Sequence, residues 1–329
     1  MQDRTLIFVL LLGLLVCGAV SLTVGSPLPA ADLLLAAMGE GDPRHRLILL
    51  EIRLPRVLLA VLVGWALGLG GAALQALLRN PLAEPGLIGV SASAGLGAVI
   101  ALYFGLAGVW ALAPAASSLT GAGLATALLL TLTRRGDTLS VILSGIALSS
   151  LAVALTSLAM ALAPNPYALS EMVLWLMGSL KDRSLHDAAT AAPLIACGSL
   201  LILTAPRGLR ALTLGEDTAT TLGIRLPALY LRVVGGTAAM IGGAVTVAGS
   251  IGFVGLLVPH LLRPLTGHDP ARLLLPSALG GALLVCAADL AVRLLPTPQE
   301  LMVGVITALI GAPFFLLLLL RRHLREALP

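Results

Sequence analysis

Charge is what this sequence has least of. Only 11% of its 329 residues are Asp, Glu, Lys or Arg, against 58% hydrophobic, and the mean hydropathy is +1.02. A soluble globular domain carries about 25% charged residues. The composition therefore describes a polytopic membrane protein, and residues 1–329 read as a single transmembrane domain with no length left for a soluble one. Lysine is almost missing. The one example, Lys181, follows Leu180, so there is no GxxxxGK[ST] phosphate loop and the chain cannot hydrolyse nucleotide in the P-loop manner. A GxSxG elbow and an HExxH helix are absent too, which argues against an intramembrane hydrolase and against the chain being an enzyme at all.

Cysteine and histidine are just as uninformative for chemistry. Cys17, Cys197 and Cys286 lie singly inside apolar runs, with neither the pairing nor the CxxC spacing of a disulfide framework or zinc site. The five histidines are scattered, and no His/Cys/Asp cluster has metal-ligand spacing, so no directly bound metal or cofactor is expected. Acidic groups inside the apolar runs are scarce as well. A proton- or sodium-coupled transporter needs intramembrane carboxylates, whereas here Asp289 stands one helical turn from Arg293, placed to neutralise it. The pI of 9.4 would suggest nucleic acid in a soluble protein. In this composition it reports arginines in short cytoplasmic loops, and no nucleic-acid partner is expected.

What is present is a succession of apolar runs. At about 20 residues per span they fit roughly ten helices. The first, Thr5 to Val24, exceeds the apolar core of a secretory signal and reads as a retained helix. A loop from Gly25 to Glu51 follows, with a short surface helix expected near Ala30 to Met38, and Pro55 opens a second span running to about Leu78. The third covers Leu87 to Leu106, the fourth Val109 to Thr133 with a stop at Arg134-Arg135-Gly136-Asp137, and the fifth Thr138 to Leu162. Tyr167 to Leu180 is too short and broken to span and reads as an interfacial piece; Ala188 to Ala205 is the sixth span. After the polar stretch Pro206 to Pro227 come spans from Ala228 to Ala248, from Ile251 to Pro264 with a bend or end at Pro259-His260, from Arg272 to Leu295, and from Met302 to Leu320 before the basic tail Arg321 to Arg325.

The chain is organised around Gln75 to Gly97. Its middle, Arg79-Asn80-Pro81-Leu82-Ala83-Glu84-Pro85-Gly86, holds two prolines, a charge pair and a glycine between helix-like flanks. Proline lacks the donor a helix interior needs and pushes the preceding residue out of helical geometry. Irregular backbone is tolerated at membrane depth only beside water or inside protein, so this turn reaches a surface or faces a pathway. Placing both termini in the cytoplasm puts most Lys and Arg inside, as the positive-inside rule requires. The Pro206–Pro227 loop is then cytoplasmic and the Glu51–Arg56 edge external. Small residues four apart, Gly64/Gly68 and Ala72/Ala76, suit close helix packing. Gly64, Gly70, Gly71 and Ala72 recur in spacing as Gly236, Gly242, Gly243 and Ala244, an offset of five spans that an inverted repeat would produce. Within the polar stretch, Thr218 to Leu222 reads as a short helix between Gly215 and Gly223, with Glu216 and Asp217 where the helix dipole favours negative charge.

Arg53-Leu54-Pro55-Arg56, NPLAEPGLIGVSASAG from Asn80, LGEDTATTLGI from Leu214, GFVGLLVPHLLR from Gly252, and Asp289 with Gly304 to Phe314 occur in an order that resembles the permeases of bacterial importers for iron chelates and cobalamin, the FecCD type. The resemblance covers nearly the whole chain. It implies an all-α polytopic fold of ten spans, that of the type II ATP-binding-cassette importer permeases, in the bacterial inner membrane. It also implies a homodimer with the pathway on its axis, two cytoplasmic ATPase subunits that use the ATP, an external binding protein, and a metal-chelate cargo, either ferric siderophore or haem, with cobalamin as the alternative. By the same resemblance, Gly215, Glu216, Asp217, Thr218, Ala219, Thr220, Thr221 and Leu222 form the helix that couples to the ATPase. Asn80 and Leu82 match an inner gate, and Thr138 and Leu139 a second one, where Leu139 departs from the small polar residue of the cobalamin permease. Arg53, Arg56 and Arg293 match external arginines that meet carboxylates of the binding protein. A secondary transporter and a membrane-embedded enzyme are the other classes to separate from this reading.

Overall fold

In lipid a backbone must satisfy its own donors and acceptors, and helix does so within each segment. The described residues are accordingly helical, with no strand among them. The computed structural model describes residues 2–24, 35, 38–40, 42–133, 138–297 and 299–326. The expected surface helix near Ala30 to Met38, the Arg134–Asp137 stop and the side chains of the basic tail fall largely or wholly outside what is described.

Helix α1 spans Gln2–Thr23, α2 Leu54–Leu77, α3 Val90–Tyr103, α4 Ala113–Leu132 and α5 Thr138–Ala161. The shorter α6, Pro166–Leu176, precedes α7, Leu185–Leu203. Two small helices, α8 (Pro206–Leu212) and α9 (Glu216–Thr221), form the polar hairpin before α10, Leu226–Ala248. The chain ends with α11 (Val254–Leu262), α12 (Pro270–Leu294) and α13 (Val303–Glu326). Among the described residues, seven helical units are long and apolar enough to cross a membrane: α1, the unit Pro43–Leu77 that contains α2, α4, α5, α7, α10 and α12. Helix α3 and the Val303–Leu317 part of α13 are shorter apolar helices.

Three span expectations need correction. The second span begins before Pro55: Asp42 caps a helix at Pro43, accepting from the Arg44 N–H at 2.9 Å, and a π-helical stretch, Ile48–Arg53, carries it into α2. The third starts later than Leu87, because a 3₁₀ turn at Pro85–Ile88 and Gly89 at φ 77° consume its first residues. The eighth is helical over only part of its expected stretch. Gly249 at φ 69° and Phe253 at φ 66° hold the chain open until Val254, leaving nine helical residues. Those rise only about 14 Å, against about 30 Å of hydrocarbon. Pro259 neither ends nor interrupts α11, which continues to Leu262.

The bundle centres on α2, α10 and α12. The apolar windows of the first two are 78% buried and that of α12 is 72% buried, against 6% for α1, 22% for α4 and 17% for α5, which are therefore peripheral. Helices α2 and α12 run antiparallel in one register: Arg56 meets Asp289, Gly64 meets Gly281, and Gly68 meets Ser277. A Cβ on Gly64 would lie 2.3 Å from the Gly281 carbonyl oxygen, so only glycine permits this crossing. The glycine echo lands on the two central helices, α2 and α10. Each is followed by a break and then a left-handed residue, Gly89 or Phe253, that precedes a short helix. The C-terminal end of α2 and the N-terminal end of α10 lie at the same end of the bundle, so the two helices are antiparallel.

Candidate functional site

Helix α2 ends in a Schellman arrangement: the Asn80 N–H donates to the Gln75 carbonyl at 3.1 Å and the Arg79 N–H to that of Ala76 at 3.4 Å. Glycine is the usual residue at the left-handed position of this motif, yet here it is Arg79, at φ 49°. A non-glycine residue there costs on the order of 1 kcal/mol, so its side chain must do something a glycine could not. Beyond it, the Asn80 carboxamide oxygen accepts the Leu82 N–H at 2.9 Å, a side-chain turn that fixes the Pro81 bend and leaves Leu82 about half exposed at the tip.

The two charges of this turn do not pair with each other. The Glu84 carboxylate faces the Phe253 backbone N–H, bringing this break beside the one between α10 and α11. Arg79 reaches away to the hairpin, where its Nη2 donates to Glu216 Oε1 at 3.1 Å. The same oxygen accepts the Thr138 hydroxyl at 3.2 Å, and Thr138 lies 2.7 Å from the hydroxyl of buried Tyr230 on α10. Thus Glu216 brings the first residue of α9, the turn after α2, the start of α5 and α10 together. Leu139, next to Thr138, is 65% exposed.

Gly215 opens α9 at φ 102°, a conformation reserved for glycine, and the helix covers Glu216–Thr221, starting slightly earlier than the Thr218–Leu222 reading. Ala219 is buried, while Asp217, Thr218, Thr220, Thr221 and Leu222 are exposed, so α9 presents an unpaired outer face. The hairpin is braced by Arg210 of α8, whose guanidinium makes a bidentate bond to Asp269 at the N-terminus of α12, the shorter arm at 2.6 Å. Burial works to raise the Asp269 carboxyl, but the Arg210 bonds and the Ala271 N–H outweigh it and hold it below its ordinary value.

Arg53, Arg56 and Arg293 come together at the opposite end of the bundle, largely enclosed. Arg53 is 4% exposed and donates to the Leu22 carbonyl. Arg56 bonds Asp289 at 2.7 Å and also Glu300. Arg293 donates to the carbonyls of Ser21 at 2.9 Å and Val24 at 3.2 Å and to the Ser21 hydroxyl, and its expected pairing with Asp289 is present at 3.2 Å. At a lipid-flanked end, guanidiniums without partners would be costly, and the chain's own carboxylates and carbonyls take these three up. A hollow of about 430 Å³ remains, lined by the three arginines and Glu300 among others.

Sequence reasoning missed Tyr230, Glu300 and the Glu84–Phe253 contact. Glu300 carried a usable signal, being a carboxylate just past the helix that holds Asp289; Tyr230 carried none. A second hollow, of about 570 Å³, opens between α3 and α5; its wall is mostly apolar, with Glu84, Ser91, Ser149, Ser150, Ser157 and Ser250 among the lining residues. Ser149 also donates to the Gly86 carbonyl at 3.2 Å, tying α5 to the turn after α2. Among the described residues no group of His, Cys, Asp and Glu could hold a metal ion.

Comparison with known proteins agrees with this architecture. The chain is 40% identical to the hemin transport system permease protein of Yersinia pestis over 84% of each chain. It is 38% identical to the Fe(3+) dicitrate transport system permease protein of Escherichia coli K12 over 96% of this chain and 98% of that one. A third relative, the vitamin B12 import system permease protein of Citrobacter koseri, is 39% identical over 91% of each. A solved structure reported as an inward-facing conformation of a metal-chelate type ABC transporter superposes with a TM-score of 0.86 at 31% identity, covering 97% of this chain and 99% of the other. The model of the FecCD transport family matches residues 11–321, and the chain belongs to that family.

Proposed function

We propose that this chain is the permease subunit of an ATP-binding-cassette importer that carries a metal chelate, a ferric siderophore or haem, across the bacterial inner membrane. Two copies enclose the pathway, two ATPase subunits dock on the cytoplasmic face, and a binding protein delivers the cargo from outside. The observation that carries this reading is where the acidic groups lie. In the seven long helical units Asp3 and Asp187 sit in first turns, Glu51 lies in the π-helical stretch, and Asp289 is taken up by Arg56 and Arg293. The spans thus offer little machinery for ion coupling. With no phosphate loop in the sequence, the driving force must enter from a separate subunit.

Helix α9, with its exposed outer face, suits the contact with the ATPase, and on this reading the hairpin and both termini are cytoplasmic. The largely apolar hollow between α3 and α5, with serines among its lining residues, suits a pathway wall that a second copy closes, with Asn80, Leu82, Thr138 and Leu139 at its cytoplasmic mouth. On the outer face, three arginines against two carboxylates leave a positive excess beside the 430 Å³ hollow. That hollow would admit a carboxylate of the binding protein, setting register more than affinity. Cobalamin is the alternative cargo, since relatives named for hemin, ferric dicitrate and vitamin B12 are about equally similar.

The test is uptake into proteoliposomes by the chain alone and by the chain with its ATPase and binding protein, using ferric siderophore, haem and cobalamin in turn. Uptake that needs both the ATPase and ATP supports the proposal. Gradient-driven uptake by the chain alone would instead make it a secondary transporter, and chemical conversion of the cargo would make it an enzyme.

A further inference from the structure

The Glu216 carboxylate has a position that neither the helix it begins nor the family assignment explains. One oxygen, Oε1, is shared by Arg79 at 3.1 Å and Thr138 at 3.2 Å. Arg79 immediately precedes Asn80, and Thr138 precedes Leu139, so the two gate segments are each bonded to the same atom of α9. Arg79 holds a left-handed backbone at φ 49° in a motif that glycine would fill without strain, and this contact is what its side chain gains there. Thr138 has one hydroxyl proton. With that proton directed at Glu216, its oxygen accepts from Tyr230, which extends the chain of bonds onto buried α10.

We propose that Glu216 is a positioning residue that latches the turn after α2 to the start of α5. A displacement of α9 breaks or remakes both bonds in one movement. The proposal rests on the reading of α9 as the ATPase contact. The chemistry suits a contact that must open in every cycle: the Arg79 side chain is 44% exposed and that of Glu216 30%, and ion pairs so open to solvent are weak. Because both bonds converge on one oxygen, a motor that withdraws that oxygen by moving α9 releases both gate segments in the same step. Asp217, exposed on the outer face of α9, makes no such inward connection among the described residues.

The test uses the assembled complex of this chain, its ATPase and its binding protein in proteoliposomes, and measures ATP hydrolysed per cargo molecule imported. A residue that merely stabilised the fold would lower hydrolysis and uptake together and leave their ratio alone. Glu216→Ala is expected to raise the ratio about fivefold or more, the lower end of ordinary coupling between sites. Arg79→Glu is expected to do the same, and the exchange Arg79→Glu with Glu216→Arg to return the ratio to within about twofold of the original. In a second measurement, cysteines at positions 79 and 216 joined by a disulfide should arrest uptake until reductant is added. An unchanged ratio in Glu216→Ala, or free uptake by the cross-linked complex, overturns the latch. Failure of the unsubstituted complex to import with ATP overturns the transport reading itself, so the two failures are distinguishable.

Discussion

Gly64→Ala is the sharpest test of how the centre of the bundle is held. The added Cβ would sit 2.3 Å from the Gly281 carbonyl oxygen and 2.6 Å from the Ala282 Cα, where ordinary contact begins at 3.4 Å. Both obstacles are backbone, so no rotamer change relieves them, and α2 and α12 must separate by about 1 Å. A gap of that size forfeits a quarter to a half of each dispersion contact across the seam. The cost should therefore fall in the upper part of the overpacking range, about 2–3 kcal/mol, or roughly 30- to 150-fold in the folding equilibrium. Gly281→Ala faces the reciprocal clash, 2.2 Å from the Gly64 carbonyl oxygen, and the double variant should cost less than the sum because the first separation makes room for the second. Gly235→Ala is the internal comparison. Nothing lies within 4 Å of a Cβ built there, so alanine should be neutral or gain up to about 1 kcal/mol of helix propensity. The assay is unfolding of the detergent-solubilised protein by titrated dodecyl sulfate, followed by circular dichroism. A Gly64→Ala midpoint equal to that of the parent, or a Gly235→Ala midpoint lowered as far as it, would refute the close-crossing argument.

The same unfolding assay checks Asp289→Ala, which removes the carboxylate shared by Arg56 and Arg293 at nearly buried positions and should cost about 3–5 kcal/mol; a cost below about 1 kcal/mol would mean that Glu300 and the Ser21 and Val24 carbonyls suffice to hold the arginines. At the other end, Asp269 has its carboxyl held below its ordinary value, so its stabilising contribution is complete above the unfolded value near 4 and is lost as pH falls through the lower folded value. Asp269→Asn should therefore lower the midpoint at neutral pH and flatten its decline below about pH 4, and parallel acid profiles for the two proteins would contradict this. Cys197 is exposed on the apolar surface of α7, Cys17 is half-buried and Cys286 is buried. A membrane-permeant maleimide should label Cys197 first and Cys286 last, as mass spectrometry of the digested protein can establish.

The long helices were legible because length and hydrophobicity suffice for them, whereas the caps that set two of their starts, Ser184 before Leu185 and Asp269 before Pro270, went unread, so those spans were expected only from Ala188 and Arg272. The short α11 was not. GFVGLLVPHLLR is as apolar as a true span. What shortens it is Phe253 at φ 66°, a conformation that local preference gives no reason to assign to phenylalanine and that tertiary contacts impose. One of those contacts is the Glu84 carboxylate facing the Phe253 N–H, from a residue far away in sequence. The π-helical entry to α2 was hidden for a related reason. Pro55 is a good first-turn residue, and nothing in ILLEIR announces a helix that already runs into it.

The polar contacts divide the same way, by whether they lie within one helix or between segments. Asp289 with Arg293 could be read directly, since residues four apart on a helix face one another. Arg79 was read with Glu84 because they share a turn, yet its partner is Glu216, more than a hundred residues on. Proximity in sequence misleads here for a physical reason: the Schellman ending points the Arg79 side chain off the end of α2 toward the hairpin, while the Pro85 turn carries Glu84 back into the bundle toward Phe253. A weakly charged chain restricts the damage. With so few acids at each end, an arginine that must be neutralised has few candidates, and Arg56 takes both of those within reach, Asp289 and Glu300. Bonds within one helix survive any rigid-body movement of that helix, whereas bonds between segments are those a movement makes and breaks. The contacts hardest to read from sequence, Arg79 to Glu216 and Thr138 to Glu216, are therefore the ones able to report a change of state at this site.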